Sequence, residues 1–143
     1  MRWVTRERPK IDRIACPWLV VRFVDPQAEF LYVPAGEVTA TAERTGAVPY
    51  DVPGVRYGHQ GDQCSFDAFI AHHGLGGDAA LARLATIVRA ADTGRPELAP
   101  EAHGLLAISQ GLSITHADDH AMLAQGMVLY DALYAWCQQR VAG

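Results

Sequence analysis

No apolar run in this chain of 143 residues reaches the ~20 residues that a membrane-spanning helix requires. The N-terminal MRWVTRERPK is basic but leads into no signal-type hydrophobic segment, so the expected location is the cytoplasm. Cysteine is scarce: Cys16, Cys64 and Cys137 are odd in number, widely spaced and without a Cys-x-x-Cys pair. That pattern argues against both a disulfide framework and a structural zinc knuckle and predicts free thiols. Also missing are a Gly-rich phosphate loop, a nucleophile elbow, a dinucleotide fingerprint, internal repeats and low-complexity tracts. GLGG at 74–77 reads as a helix stop and turn.

What is present fits one globular domain over 1–143. Half the residues are apolar and a fifth are charged, and a chain of this length buries roughly two-thirds of its unfolded surface without staples. The formal charge of −4 is unevenly placed. Arg2, Arg6, Arg8, Lys10, Arg13 and Arg22 face only Glu7 and Asp12 in the first 22 residues, a local charge of +4 that leaves −8 for the remainder. Direct nucleic-acid binding needs an extended positive face along a phosphate backbone, which an acidic body with one basic end does not supply. A compact anion site formed by Arg6, Lys10 and Arg13 fits that end better, with a solvated surface loop as the plain alternative.

The periodicities predict an α+β fold, mostly helical, with a small sheet and a β-α-β opening. RWVT at 2–5 reads as a strand. Apolar positions 11, 14, 15, 18, 19 and 23 read as a helix from Ile11 to Val24, and EFLYV at 29–33 as a second strand. Pro17 either kinks that helix or opens it. The Gly- and Pro-rich stretch after Val33 reads as turns joining short strands at 48–50 and 55–57. Ser65 and Asp78 read as N-caps of two helices, the second ending at Thr93-Gly94. Pro100 opens a helix to about Gly111, and Thr115-x-x-Asp118 resembles a capping box for a last helix to about Gln139.

Several side chains carry candidate chemistry. Asp92 continues the stripe of Leu81, Ala85 and Val88, which turns a carboxylate inward at a helix C-terminus, where the dipole opposes it. It needs Arg89, a metal ion or another helix's cap as partner. His116 and His120 lie one turn apart on the stripe that continues through Leu123, Met127, Tyr130, Tyr134 and Cys137. His59 stands on a Gly-flanked loop. Cys64 precedes a helix N-terminus, which lowers thiol pKa values, making it the expected reactive thiol and a candidate catalytic group; Cys16 and Cys137 are expected to be buried. Asp67 sits in the first turn after Cys64. His59 and Asp67 with Asp92 and His120 could hold one divalent ion, with zinc, manganese or iron suiting mixed nitrogen and oxygen donors. A loop histidine, a packed cysteine and a first-turn aspartate account for the same residues without a metal. His72, His73 and His103 are expected at the surface.

Five stretches resemble the C-terminal domain of the ChrB-type chromate-resistance proteins: KIDRIACPW, FLYVPAGEV, the His59-x4-Cys64-x-Phe66-Asp67 box, IVRAADT and DDHAML with GMVLYDALYAWC. They run in one order from about Trp3 to Cys137. The resemblance implies a role in the response to chromate or a related oxyanion, and the DDH block favours His120 over His116. It also implies that Arg89 stands where a histidine is frequent in IVH-x-x-D, which would weaken or reshape a metal site built on that histidine. No counterpart of the regulators' DNA-binding half is evident in these residues, so a separate regulator or effector partner is expected. A sensing module, a metal-dependent enzyme, a Cys64-based reductase or sulfur-transfer accessory, and a plain scaffold all remain open at this level.

Overall fold

The computed structural model describes residues 1–142. Its elements are β1 (Arg2–Arg6), α1 (Asp12–Leu19), β2 (Glu29–Val33), α2 (Val38–Thr45), β3 (Val48–Pro49), α3 (Ser65–His72), α4 (Ala79–Asp92), α5 (Glu101–Thr115) and α6 (Asp119–Ala142). The α+β expectation holds. The sheet has the order β2-β1-β3 with both neighbours parallel to β1. β1 is therefore the central strand, and Trp3, Val4 and Thr5 are all buried.

Around β1 the apolar groups sort into two cores. The larger joins Trp3 to Ile14, Trp18, Phe66, Phe69, Leu81, Leu84, Met122 and Tyr130. The smaller, Val4 with Val38 and Ala47, lies where α2 packs on β1. None of the helices among the described residues is long and apolar enough to cross a membrane.

Pro17 lies inside α1. It has no N–H for the Arg13 carbonyl, and the Tyr32 hydroxyl approaches that oxygen instead, at 3.5 Å. Beyond Leu19 the helix widens into a π turn, Val20–Val24, closed by Asp25 N–H donating to Val20 O at 2.7 Å.

Of the strand expected at 55–57 only a Tyr50–Tyr57 bridge forms, the N-cap of α3 is Cys64 in place of Ser65, and three further parts depart from the sequence expectation. α2 occupies part of the stretch read as turns; VTATAERT is rich in β-branched residues and buries only Val38 and Thr41, so little apolar content marks it as a helix. α5 continues past Gly111 to Thr115, and α6 is capped by Asp118, which accepts from Ala121 N–H at 2.8 Å. His116 therefore lies between two helices and cannot share a face with His120. The inward face of α6 is Met122, Gly126, Tyr130 and Cys137. A hydrophobic pattern passes over Gly126, yet it is where α6 crosses α1, because a Cβ there would run into Ile14 Cγ2.

That crossing separates two glycine substitutions of the same kind. Gly126→Ala is expected to lower stability by about 1–3 kcal/mol through overpacking. Gly104→Ala in α5, where a Cβ meets open space, is expected to raise it by about 0.5–1 kcal/mol through helix propensity. Urea unfolding midpoints of the two variants measure the difference.

Candidate functional site

The first loop delivers the centre of the site. After β1 the chain passes Arg8 at φ 56° and Ile11 at φ 45° before α1 begins at Asp12. Positive φ in a β-branched residue costs on the order of 1–3 kcal/mol, so the surroundings must hold it. Asp51, at φ 55°, is the third such residue. All three belong to the walls of one site or the loop that leads to it.

Asp12 is fully buried and receives the N–H groups of Ser65 at 2.8 Å and Phe66 at 3.3 Å. A carboxylate from α1 thus serves the N-terminus of α3, where amides lack helical partners. The His59 imidazole closes over it: Nε2 lies 2.9 Å from Asp92 Oδ2, 3.3 Å from Asp51 Oδ1 and 3.5 Å from Asp12 Oδ2. Asp51 also accepts the Ser65 hydroxyl at 2.7 Å and pairs with Arg6 at 3.0 Å, with Arg13 Nε 3.7 Å away. Three acidic side chains thus share two guanidinium groups and one imidazole.

The titration of these groups follows from that crowding. Its hydrogen bond to Asp12 raises the His59 pKa to about 9 against the effect of desolvation, helped by the charges of Asp92 and Asp51. Burial, then the charges of Asp12 and Asp51, raise Asp92 to about 7 despite the opposing pull of His59. Asp12 is raised too, first by burial. One donor atom each from Asp12, His59 and Asp92 lies within 4.8 Å of the others, the spacing of a shared cation. Outside them a cleft of about 430 Å³ opens between Arg6, Asp51, Val52, Pro53, Gly54 and His59.

The residues singled out from the sequence are distributed unevenly. His59 and Asp92 meet. Asp67 lies apart from that trio: its Oδ1 accepts from Arg89 at 2.8 Å and its Oδ2 from Cys64 N–H at 3.0 Å, a reciprocal cap of α3. Arg89, where a histidine was the family expectation, is thus the partner of Asp67. His120 is exposed on α6, edge-on to Tyr32 with ring centroids 5.3 Å apart. Arg6 and Arg13 reach Asp51, while Lys10 is exposed.

Cys64 does not have the exposure expected of it. It is buried like Cys16 and Cys137, its thiol lies 3.4 Å from Asp67 Oδ2, and burial with the charges of Asp12 and Asp67 pushes its pKa far up. The helix terminus that would lower it is already occupied by carboxylates. His72 and His103 are exposed as expected, and His73 stacks on Tyr57.

Sequence reasoning missed Asp12 and Asp51. Asp12 reads as an ordinary first-turn residue and Asp51 as a turn residue; only the inward stripe of α1 beginning beside Asp12 hinted at burial.

The family model for the ChrB C-terminal domain matches residues 3–137. Protein ChrB of Cupriavidus metallidurans is 35% identical over 133 residues, covering 93% of this chain. The chain spans about 40% of that relative's length. No solved structure matches the chain.

His59 and Asp92 each bind a proton more tightly in the folded than in the unfolded chain. The stability contributed by His59 is present below its ordinary value of 6.5 and lost as pH rises through about 9. That linked to Asp92 is present below 3.8 and lost as pH rises through about 7. Metal-free protein is therefore expected to show a urea midpoint that falls as pH climbs across both windows. His59→Ala is expected to flatten the upper one.

Proposed function

The chain belongs to the family of ChrB C-terminal domains, and we propose that it is a chromate-response module that holds a divalent metal ion through Asp12, His59 and Asp92 and takes a small oxyanion as a further ligand. The observation that carries this reading is the convergence of one imidazole and two carboxylates from the first loop, the His59 loop and the end of α4, within 4.8 Å of one another. Mixed nitrogen and oxygen donors suit zinc, manganese or iron. The α3 amides of Ser65 and Phe66 hold both Asp12 oxygens and so fix the orientation of that carboxylate toward a bound ion.

Charge balance supports the anion. With the three carboxylates ionised, as metal binding requires, Arg6, Arg13 and a protonated His59 neutralise Asp12, Asp51 and Asp92. A dication that displaces the His59 proton leaves one positive charge in excess, facing a cleft walled by Arg6 and His59. The buried Nε atoms of Arg6 and Arg13 have no acceptor among the described residues and favour an added oxygen ligand. In this reading Lys10 adds only long-range charge. The module acts in the cytoplasm, where its three thiols stay reduced, and passes its signal to a regulator or effector. The alternative chemistry, chromate reduction or sulfur transfer through Cys64, finds no support in a buried thiol whose pKa is raised.

His59→Ala, Asp92→Ala and Asp12→Asn are each expected to weaken zinc or manganese binding at least tenfold, with Asp67→Asn and His120→Ala near wild type, in calorimetric titrations. Wild-type protein that binds neither ion, or ligand variants that bind normally, would refute the site. Metal-loaded protein is expected to bind chromate without consuming it; metal-dependent loss of the chromate absorbance would make it an enzyme. Arg6→Ala is expected to weaken chromate or sulfate binding at low salt and reduce its salt dependence.

A further inference from the structure

Arg8 stands outside the cluster yet makes more hydrogen bonds than any residue in it. Its backbone N–H donates to Asp119 Oδ2 at 3.0 Å and its Nη1 to Asp119 Oδ1 at 3.0 Å and Ala117 O at 2.7 Å. Nη2 donates to Ser113 O at 2.6 Å, Ser113 Oγ at 3.1 Å and His116 O at 2.9 Å. One guanidinium therefore caps the carbonyl end of α5, whose partial negative charge suits a cation, and holds the first turn of α6 through the Asp119 carboxylate, which offsets the positive end of that helix.

The same residue is the start of the strained loop. Arg8 at φ 56° and Ile11 at φ 45° flank Pro9 and Lys10, and Asp12 follows at once. The near end of the loop is tied by Glu7 N–H to Val33 O at 2.8 Å and by the Arg8 clasp. The far end is tied through Ile11 O, which accepts from Ala15 N–H at 2.8 Å and from the buried Tyr130 hydroxyl at 3.4 Å. A non-glycine residue keeps positive φ only where its surroundings over-determine it. With the clasp released, the loop is free to relax toward ordinary φ values, and the group carried off with it is the Asp12 carboxylate.

We infer that Arg8 is a positioning residue for the metal site, fixing Asp12 against His59 and against the α3 amides by locking the loop to the α5–α6 junction. This rests on the metal-binding reading above. It makes the junction between the last two helices part of the site's construction, although neither helix contributes a ligand.

The test compares Arg8→Ala, Arg8→Gly and Arg22→Ala in the full chain. Arg22→Ala removes a bidentate pair between the turn after α1 and Asp131 of α6, at 2.8 and 2.7 Å, and so loosens the same two regions without touching the loop. Zinc or manganese titrations are expected to show at least a tenfold loss for Arg8→Ala and less than twofold for Arg22→Ala. Arg8→Gly is expected to fall between them, because glycine holds positive φ without strain. Amide hydrogen exchange on metal-free protein is expected to show lost protection at Ser65 and Phe66 in Arg8→Ala alone. Equal affinities and equal protection in Arg8→Ala and Arg22→Ala would overturn the inference and leave the metal site standing. Wild-type protein that binds neither ion would overturn the metal site, and the Ser65 and Phe66 amides would then decide the role of Arg8 by themselves. Should Arg8→Ala fail to fold, Arg8→Gly carries the same comparison.

Discussion

A carboxylate with no exposure to solvent sits at the junction of four segments, and most of the architecture serves to make that tolerable. Asp12 begins α1, caps α3 through Ser65 and Phe66, and lies against His59, which in turn reaches Asp92 at the end of α4. A buried charge without such partners costs several kcal/mol. The loops that bring the partners are correspondingly constrained: Ile11 and Asp51 take backbone angles that ordinary side chains avoid, each next to or within the cluster. Strain and buried charge concentrated in one place are the usual mark of a site kept for function, since packing alone would favour apolar residues there.

The basic N-terminal segment has its meaning in this context. Its charges are turned inward or onto neighbouring helices: Arg6 and Arg13 to Asp51, Arg8 to the α5–α6 junction, Arg22 to Asp131. What looks in the sequence like one patch of positive charge is in the fold, apart from the exposed Lys10, a set of ties to acidic residues from far along the chain, with Asp51 shared by Arg6 and Arg13.

Two conflicts were settled by tertiary context. A cysteine ahead of a helix N-terminus is electrostatically placed to ionise, yet at Cys64 burial and three nearby carboxylates outweigh the helix. An aspartate at a helix C-terminus is electrostatically misplaced, yet Asp92 is held there by His59 at 2.9 Å. At Cys64 burial leads and the charges of Asp12 and Asp67 add to it, while at Asp92 an imidazole from a distant loop offsets a dipole that fades within one turn.

The sequence by itself determined the α+β class, β1, β2, the existence of α1, α3, α4, α5 and α6, the cap at Asp78, and the prominence of His59 and Asp92. These depend on local periodicity, capping chemistry and charge out of place, which are visible in a few consecutive residues. Only the tertiary structure decided that Asp12 and Asp51 join His59 and Asp92 while Asp67 and His120 do not, that Gly126 is a helix crossing, and that α2 forms with little apolar content to mark it. The reason is physical. Cluster membership depends on which of several acceptable first-turn and loop aspartates are brought against one imidazole, and that is set by the packing of α1, α3 and α4, which joins Asp12 to the amides of Ser65 and Phe66 across sequence separations of 53 and 54 residues.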